Sequence, residues 1–221
     1  MSTEDTLDST PAPQPVTGSG QGRVRWRRFA AMMLASAAAG ATLVVLTAQG
    51  ALAAQFSISG MPFTVTATQL SGTGFEQFAT LDSMIPNSPN AGNTGGQLVL
   101  VVSAIGKADL TGLCQSIDLG GTFLKLTAGG SGSPVHAETM VVDSSELSGN
   151  ASFTNIQIGQ DSSTLDAVKK VTGQSVTGFP GVLGQQADTV TINNLRQTNY
   201  ATTAATFTLP NLHMAFTSTG C

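Results

Sequence analysis

The residues best suited to chemistry form one short group around a glycine-rich loop. Ser133 lies in that loop, which spans residues 129–134, His136 follows it, and Asp143 comes seven residues after His136. A serine nucleophile needs a general base, most often a histidine oriented by a carboxylate. We therefore take Ser133 as the candidate nucleophile, His136 as the base and Asp143 as the orienting acid. The alternative is that His136 is a loop histidine with no catalytic role. His213, the other histidine, is expected to be an outward-facing residue of a strand.

Other catalytic patterns are missing from the sequence. The Gly-x-Ser-x-Gly nucleophile motif of α/β-hydrolases does not occur. Asp161, Asp166 and Asp188 could supply a carboxylate pair for glycoside hydrolysis, but Tyr200 is the single tyrosine and aromatic residues for sugar stacking are few. The two histidines and two cysteines lack the spacing of metal ligands, and no phosphate-binding loop is present. We expect neither a cofactor nor a metal.

The N-terminal region has the three parts of a secretory signal. Residues 1–28 form a polar leader that ends in four arginines, residues 29–53 are mainly apolar, and Ala51-Leu-Ala53 offers a small-x-small cleavage site. We expect cleavage after Ala53 and export of a β-rich domain at 54–221. The alternative is retention of residues 29–53 as a membrane anchor, because an apolar run of about 20 residues can span a bilayer. Arg27-Arg28-Phe29 leaves a twin-arginine export route open.

Charge and cysteine content narrow the function further. Only 10% of the residues are charged and the formal net charge is −4, so nucleic-acid binding is disfavoured. The basic cluster lies in the leader and therefore gives no information about the binding partners of the exported domain. Cys114 and Cys221 are the only cysteines, and an even count in an exported chain predicts a disulfide between them. Metal ligation or a catalytic thiol is the poorer alternative.

Hydrophobic patterning predicts an all-β domain with one short helix. Segments such as Phe63–Thr68 alternate apolar and small polar residues, while Gln97–Val102 is a continuous apolar run that predicts a strand buried on both faces. Ser163–Val171 is the one credible helix, with an acid early and lysines late. Further strands are expected at residues 56–59, 122–127, 138–142, 152–158, 189–192, 205–209 and 213–216.

A faint recurrence suggests the architecture. Leucines in similar polar settings recur at Leu70, Leu110, Leu147 and Leu195, with irregular spacing. We interpret these as repeated strand–turn units of one sandwich or barrel, with a β-helical stack as the alternative. The apolar loops at Met61–Phe63 and Phe179–Leu183 suit contact with lipid or another protein, or fold onto the core.

Several strings resemble one family of exported Streptomyces proteins. These strings include Leu113-Cys-Gln-Ser116, Phe153–Asp161, Gly184–Asp188 and Asn194–Thr198, and together they cover nearly all of the exported part. The family carries the label cholesterol esterase and is otherwise a domain family without assigned function. The resemblance implies hydrolysis of cholesteryl or related long-chain lipid esters outside the cell. The alternative that we draw from the residues is a non-catalytic secreted or cell-surface β-protein that binds lipid or a protein partner.

Overall fold

A computed structural model describes residues 57–130 and 132–221 of the 221-residue chain. The signal segment, the predicted cleavage after Ala53 and the start of the strand expected at 56–59 lie outside these residues. The described part contains nine strands, one 3₁₀ turn at Ser162–Thr164 and one α-helix, α1, at Ala167–Thr172. The strands are β1 (Phe63–Ser83), β2 (Gln97–Thr111), β3 (Leu113–Asp118), β4 (Phe123–Ala128), β5 (Val135–Thr154), β6 (Gln157–Asp161), β7 (Leu183–Thr203), β8 (Thr206–Thr208) and β9 (His213–Thr217).

All nine strands belong to one sheet, and every pairing between them is antiparallel. The order is β6-β7-β5-β2-β1-β3-β4-β9, with β8 paired to β5. Strand β7 also pairs with β1, so the pairings among β1, β2, β5 and β7 form a closed cycle. The predicted all-β domain with a short helix is confirmed. The β-helical alternative is wrong, because such a stack needs parallel pairing.

The four recurring leucines lie on the four strands of this cycle. Leu70 on β1 pairs directly with Leu110 on β2, and both are buried in the main core. Leu195 on β7 is buried in the same core, and Leu147 on β5 packs against it. The expected turns are absent next to Leu70, Leu147 and Leu195, which sit inside strands of 20 or 21 residues. Leu110 lies one residue before the end of β2, where Gly112 leads into β3.

Glycine allows these strands to continue where other elements come close. Gly74 in β1 has a φ of +69°, and a Cβ atom there would lie 2.7 Å from the carbonyl oxygen of Ala167 in α1. A side chain at this position would therefore push the helix off the sheet. The sequence pattern treats such glycines as turn signals, whereas here they let the helix lie directly on the strands.

Two local predictions are wrong. The helix begins at Ala167 and not at Ser163, because Leu165 is extended (φ −64°, ψ 139°) and separates α1 from the 3₁₀ turn. The segment Gln97–Val102 is not buried on both faces. Leu100 is 1% exposed, but Val99 is 76% exposed and no element covers it among the described residues.

The predicted disulfide is confirmed. Cys114 on β3 bonds to Cys221 across a separation of 107 residues, with a Cα–Cα distance of 5.9 Å. The backbone N–H of Cys221 also donates to the hydroxyl of Ser116, 2.9 Å away, and Arg196 donates to the Cys221 carbonyl. The C-terminal segment is thereby fixed against β3 and β7. A disulfide of this kind fits an oxidising, extracellular compartment.

Candidate functional site

Two of the predicted catalytic residues, Ser133 and His136, lie around the beginning of β5. Ser133 is partly buried in the turn before β5, where its backbone N–H donates to the Gly130 carbonyl at 3.1 Å. His136 is the second residue of β5 and faces Asp109 on β2. The hydrogen bonds of the described residues include none that joins His136 to Ser133 or to Asp143. Ser133 and His136 are therefore neighbours in the sequence, but their side chains are not hydrogen-bonded to each other.

Asp109, which sequence reasoning did not single out, is the acid that contacts His136. Its Oδ1 is hydrogen-bonded to Nδ1 of the imidazole, and the two residues are direct cross-strand partners. A carboxylate on Nδ1 is the orienting half of a hydrolytic triad and leaves Nε2 free to take a proton. Both side chains are exposed, at 59% for His136 and 52% for Asp109, so the pair lies in water and not in a closed cleft.

Asp143 lies well away from His136. Seven residues of β5 separate them, which corresponds to about 23 Å at the rise of a strand. The carboxyl of Asp143 instead lies near the carboxyl of Asp82 from β1. Burial, followed by the negative charge of Asp82, raises the pKa of Asp143 to about 7. Burial also raises the pKa of Asp82. This pair therefore holds a proton at mildly acidic pH and is not available to orient a histidine.

A second buried carboxyl supports the helix. Glu76 on β1 is fully buried, and its Oε1 accepts a hydrogen bond of 2.7 Å from the Val168 N–H in the first turn of α1. Its Oε2 has no partner within the described structure. Burial removes water from the Glu76 carboxyl, and this is the main cause of the rise of its pKa to about 7. The nearby negative charge of Asp166 raises the pKa further. Glu76 was not among the residues predicted from the sequence. The signal that could have identified it is a carboxylate between Phe75 and Phe78 in an apolar strand.

The three aspartates considered for glycoside chemistry have separate structural roles. Asp161 accepts hydrogen bonds from Ser163 and from the Gly181 N–H, and these lower its pKa. Asp166 forms an ion pair with Lys170 at 2.8 Å, which lowers its pKa. Asp188 accepts a hydrogen bond of 2.7 Å from the amide of Asn155. Each carboxylate is committed to a loop or helix contact, and none of these contacts joins two of them as an acid–base pair.

A small hollow opens between β1, β2, β3, β5, β7 and β8. The space in it that a water-sized sphere can occupy is about 20 Å³, room for about one water molecule. Leu110, Met140 and Val142 form apolar parts of its wall, and Asn199 contributes an amide oxygen that has no hydrogen-bond partner in the described structure. The size of the hollow fits small groups and does not fit a whole steryl ester.

Another surface feature is an apolar region of the sheet, which we call the apolar face. Leu81 pairs with Val99, and Val101 lies two residues further along β2 on the same side. Gln185 is hydrogen-bonded through Gln77 to Ser103, which shows that β7, β1 and β2 present one common face here. The apolar face consists of Leu81 (51% exposed), Val99 (76%), Val101 (38%), Ile158 (68%) and Leu183 (66%).

Ile158 and Leu183 join this face through strand register. Ile158 on β6 pairs with Gln185, and Leu183 lies two residues before Gln185 on β7. Phe179, in the loop before β7, is also 60% exposed, whereas Phe63 of the other predicted apolar loop packs against the core. The expectation of apolar surface near Phe179–Leu183 therefore agrees with the structure. In the first loop Met61, at 39%, and Pro62 are exposed.

A second apolar surface lies on the edge strand β9, and we call it the edge patch. Met214 and Phe216 are 55% and 69% exposed and pair with Leu126 and Leu124 of β4. Strand β9 stands at the end of the sheet order. His213 lies on the same strand and is exposed, as predicted for a structural histidine on the outward side.

In residues 57–130 and 132–221 no three histidine, cysteine or acidic side chains converge as metal ligands. No helix in that same part of the chain is long and apolar enough to cross a membrane.

Comparison with known proteins gives a family and no activity. Residues 59–221 match the family of unknown function DUF6230, which covers most of the chain. The chain belongs to the DUF6230 family. No curated protein and no solved structure matches the chain. The family assignment agrees with the resemblance to a domain family without assigned function, and it provides no support for the cholesterol esterase label.

Proposed function

We propose that this DUF6230 protein is an exported, non-catalytic β-domain that binds lipid surfaces through its apolar face. The observation that carries the proposal is the exposure of five aliphatic side chains on four neighbouring strands. Scattered exposed aliphatic residues are ordinary, but a contiguous group on one flat face indicates a contact surface. The exposed position of the His136–Asp109 pair and the small size of the hollow favour binding over catalysis.

The physical basis of binding is removal of aliphatic side chains from water. Full burial of one Val, Leu or Ile side chain stabilises a complex by about 1.5–3 kcal/mol. Three of the five side chains are at least two-thirds exposed, so most of this free energy is still available for binding. Losses in translational and rotational freedom offset part of it. The face therefore supports reversible association with a lipid surface.

Flotation of the exported form with phosphatidylcholine vesicles tests this proposal. We expect the protein to float with the vesicles and the triple variant Leu81→Ser/Val99→Thr/Leu183→Ser to stay in the soluble fraction. The control variant Met214→Thr/Phe216→Thr removes apolar surface from the edge patch and is expected to float like the parent. Equal flotation of parent and triple variant, with unchanged thermal unfolding, would refute the role of the apolar face.

The second candidate function is hydrolysis of cholesteryl or related lipid esters. It is favoured by one observation, the hydrogen bond between Nδ1 of His136 and the Asp109 carboxylate. In this hypothesis Ser133 attacks the ester carbonyl while Nε2 of His136 takes its proton. The imidazolium gives that proton to the alcohol oxygen as its bond to the carbonyl carbon breaks, and water then releases the fatty acid from Ser133. Asp109 takes the orienting role first given to Asp143.

Turnover of cholesteryl oleate by the purified protein tests the second candidate. We expect Ser133→Ala, His136→Ala and Asp109→Asn to lose activity, while Asp143→Asn keeps it. No turnover by the parent removes the hydrolase hypothesis. Full activity in His136→Ala removes this site but retains the enzyme.

A further inference from the structure

We propose that β9 is a dimerisation edge, at which two copies of the chain pair antiparallel about a twofold axis beside Ala215. This inference goes beyond the proposed lipid binding and concerns a different surface, the edge patch. It is carried by three features of β9: an open backbone edge, an uncovered apolar side, and an order of residues that is complementary to itself.

The first feature is the backbone edge of β9. Strands β6 and β9 stand at the two ends of the strand order, and β4 is the one described strand that pairs with β9. Successive residues of a strand direct their N–H and C=O groups to opposite edges, so every second residue of β9 directs these groups away from β4. Residues 213–217 make no other backbone hydrogen bond within the described part of the chain. A row of unpaired backbone groups of this kind is a template for another strand.

Strand β6, at the other end of the strand order, is protected against such pairing. Gly159 has a φ of +95°, and the register with β7 shifts between Ile158 and Gln160. The strand also ends in a charged residue, Asp161. Bulges and charges are the devices that keep sheet edges from pairing with other chains, and β9 has no register shift and no Asp, Glu, Lys or Arg. Of the two ends β9 is therefore the open one, which favours a closed pair of like ends over a head-to-tail array of copies.

The second feature is the difference between the two faces of β9. On one face the Lys125 ammonium donates to the Gly220 carbonyl at 3.3 Å, so the C-terminal segment lies over β4, and Ala215, the partner of Lys125, is half-buried. The edge patch lies on the opposite face, where Met214 pairs with Leu126, which packs against the main core. Strand β9 thus continues the core-facing side of the sheet to a position where no described element covers it. A strand added beside β9 would cover this apolar side.

The third feature is the order of residues along β9. Antiparallel pairing about Ala215 places Met214 of each copy directly opposite Phe216 of the other, and His213 opposite Thr217. Both apolar pairs lie on the same face, so each copy covers the edge patch of the other. The chain has a formal net charge of −4, and the absence of acidic residues from β9 lets two copies meet without like charges in direct opposition. A second copy therefore matches β9 in backbone pairing, in apolar contacts and in charge.

The size of the contact determines how strong the dimer is. Each copy contributes a strand of 5 residues and the two side chains of the edge patch, which are 55% and 69% exposed. Such a contact buries less than about 1,200 Å², the lower limit for standard stable interfaces. We therefore expect a reversible dimer whose population rises with the concentration of the protein.

Sedimentation velocity over a wide range of concentrations, on the protein as recovered from producing cells, tests this inference. The variant Met214→Lys/Phe216→Lys places like charges opposite each other in both apolar pairs, and we expect it to associate about tenfold or more weakly than the parent. The variant Met214→Lys/Phe216→Glu places opposite charges in the same two pairs, and we expect it to associate about tenfold more strongly than the double-lysine variant. The double-lysine variant has a smaller net negative charge than the parent, so general repulsion between copies cannot explain its weaker association.

Two controls accompany these variants. Both substituted positions are exposed, so thermal unfolding equal to that of the parent shows that the variants are folded. The triple variant of the apolar face, Leu81→Ser/Val99→Thr/Leu183→Ser, should associate like the parent.

Four outcomes would overturn the inference. A parent that shows no concentration-dependent association contradicts the dimer, and equal association of the two charge variants contradicts antiparallel pairing about Ala215. Loss of association in the triple variant would place the contact on the apolar face. Slow hydrogen exchange, in a monomeric protein, of the β9 amides that point away from β4 would show that another segment of the same chain pairs with this edge. Vesicle flotation reports on the proposed function separately from all four results.

Discussion

Replacement of Glu76 by glutamine should make the domain more stable at alkaline pH and leave it unchanged at acidic pH. Glu76 is fully buried, one of its oxygens has no partner among the described residues, and burial raises its pKa from 4.5 to about 7. Because the folded protein holds this proton more tightly than the unfolded chain does, the free energy of unfolding falls as pH rises from about 4.5 to about 7. Glutamine has the same shape, keeps the acceptor for the Val168 N–H and carries no charge.

The size of the effect follows from the pKa. The rise to about 7 corresponds to a loss of roughly 3 kcal/mol of stability once Glu76 is ionised. In a domain of this size, each kcal/mol shifts the melting temperature by about 2–4 °C. We therefore expect Glu76→Gln to melt about 6–12 °C above the parent at alkaline pH and with the parent at about pH 4, below the pKa of the unfolded chain.

Urea or thermal unfolding of parent and variant across the pH range provides the assay. Glu146→Gln, at an exposed position of β5, is the control and should track the parent at every pH. A difference in stability between Glu76→Gln and the parent that does not depend on pH would refute the reasoning. It would show that packing, and not ionisation of Glu76, determines the difference in the free energy of unfolding. A less stable variant at all pH values would show that Oε2 has a partner essential for folding.

Three other changes have expected outcomes. Asp143→Asn should raise the free energy of unfolding above about pH 7 and have little effect near pH 4, because the pKa of Asp143 lies at about 7 in the folded protein; chemical unfolding at the two pH values measures this. Removal of the disulfide by Cys114→Ser/Cys221→Ser should cost about 2–5 kcal/mol in urea unfolding, and an unchanged midpoint would contradict a stabilising role. Phe216→Lys, on the edge strand β9, should reduce concentration-dependent self-association in sedimentation experiments, whereas Leu119→Lys, at an exposed site outside β9, should not.

The sequence was sufficient for the class of fold and the disulfide because both depend on local or countable features. Alternation of apolar and polar residues in segments such as Phe63–Thr68 predicts a strand without knowledge of the strand with which it pairs. Two cysteines permit only one intramolecular disulfide. The lengths of the strands were not predictable in the same way. Glycines such as Gly74 have the local signature of a turn, and only the approach of α1 shows why glycine occurs inside β1.

The candidate site was harder to predict because it depends on register. The contact between His136 and Asp109 arises from the pairing of β5 with β2, and a shift of one residue would place the two side chains on opposite faces. The exposure of the Val99 side chain could not be predicted from the sequence either. A continuous apolar run has the same pattern whether both faces are covered or one is left open for a partner.

The closed cycle of β1, β2, β5 and β7 also sets the order of events during folding. Val65 on β1 pairs with Gln197 on β7, and Cys114 bonds to a residue 107 positions later. Neither contact can form until β7 and the C-terminal segment have been synthesised, so β1 remains unpaired with β7 while the chain is made. Domains dominated by such distant pairings fold slowly. The disulfide, which needs an oxidising environment, is therefore among the last contacts that can close.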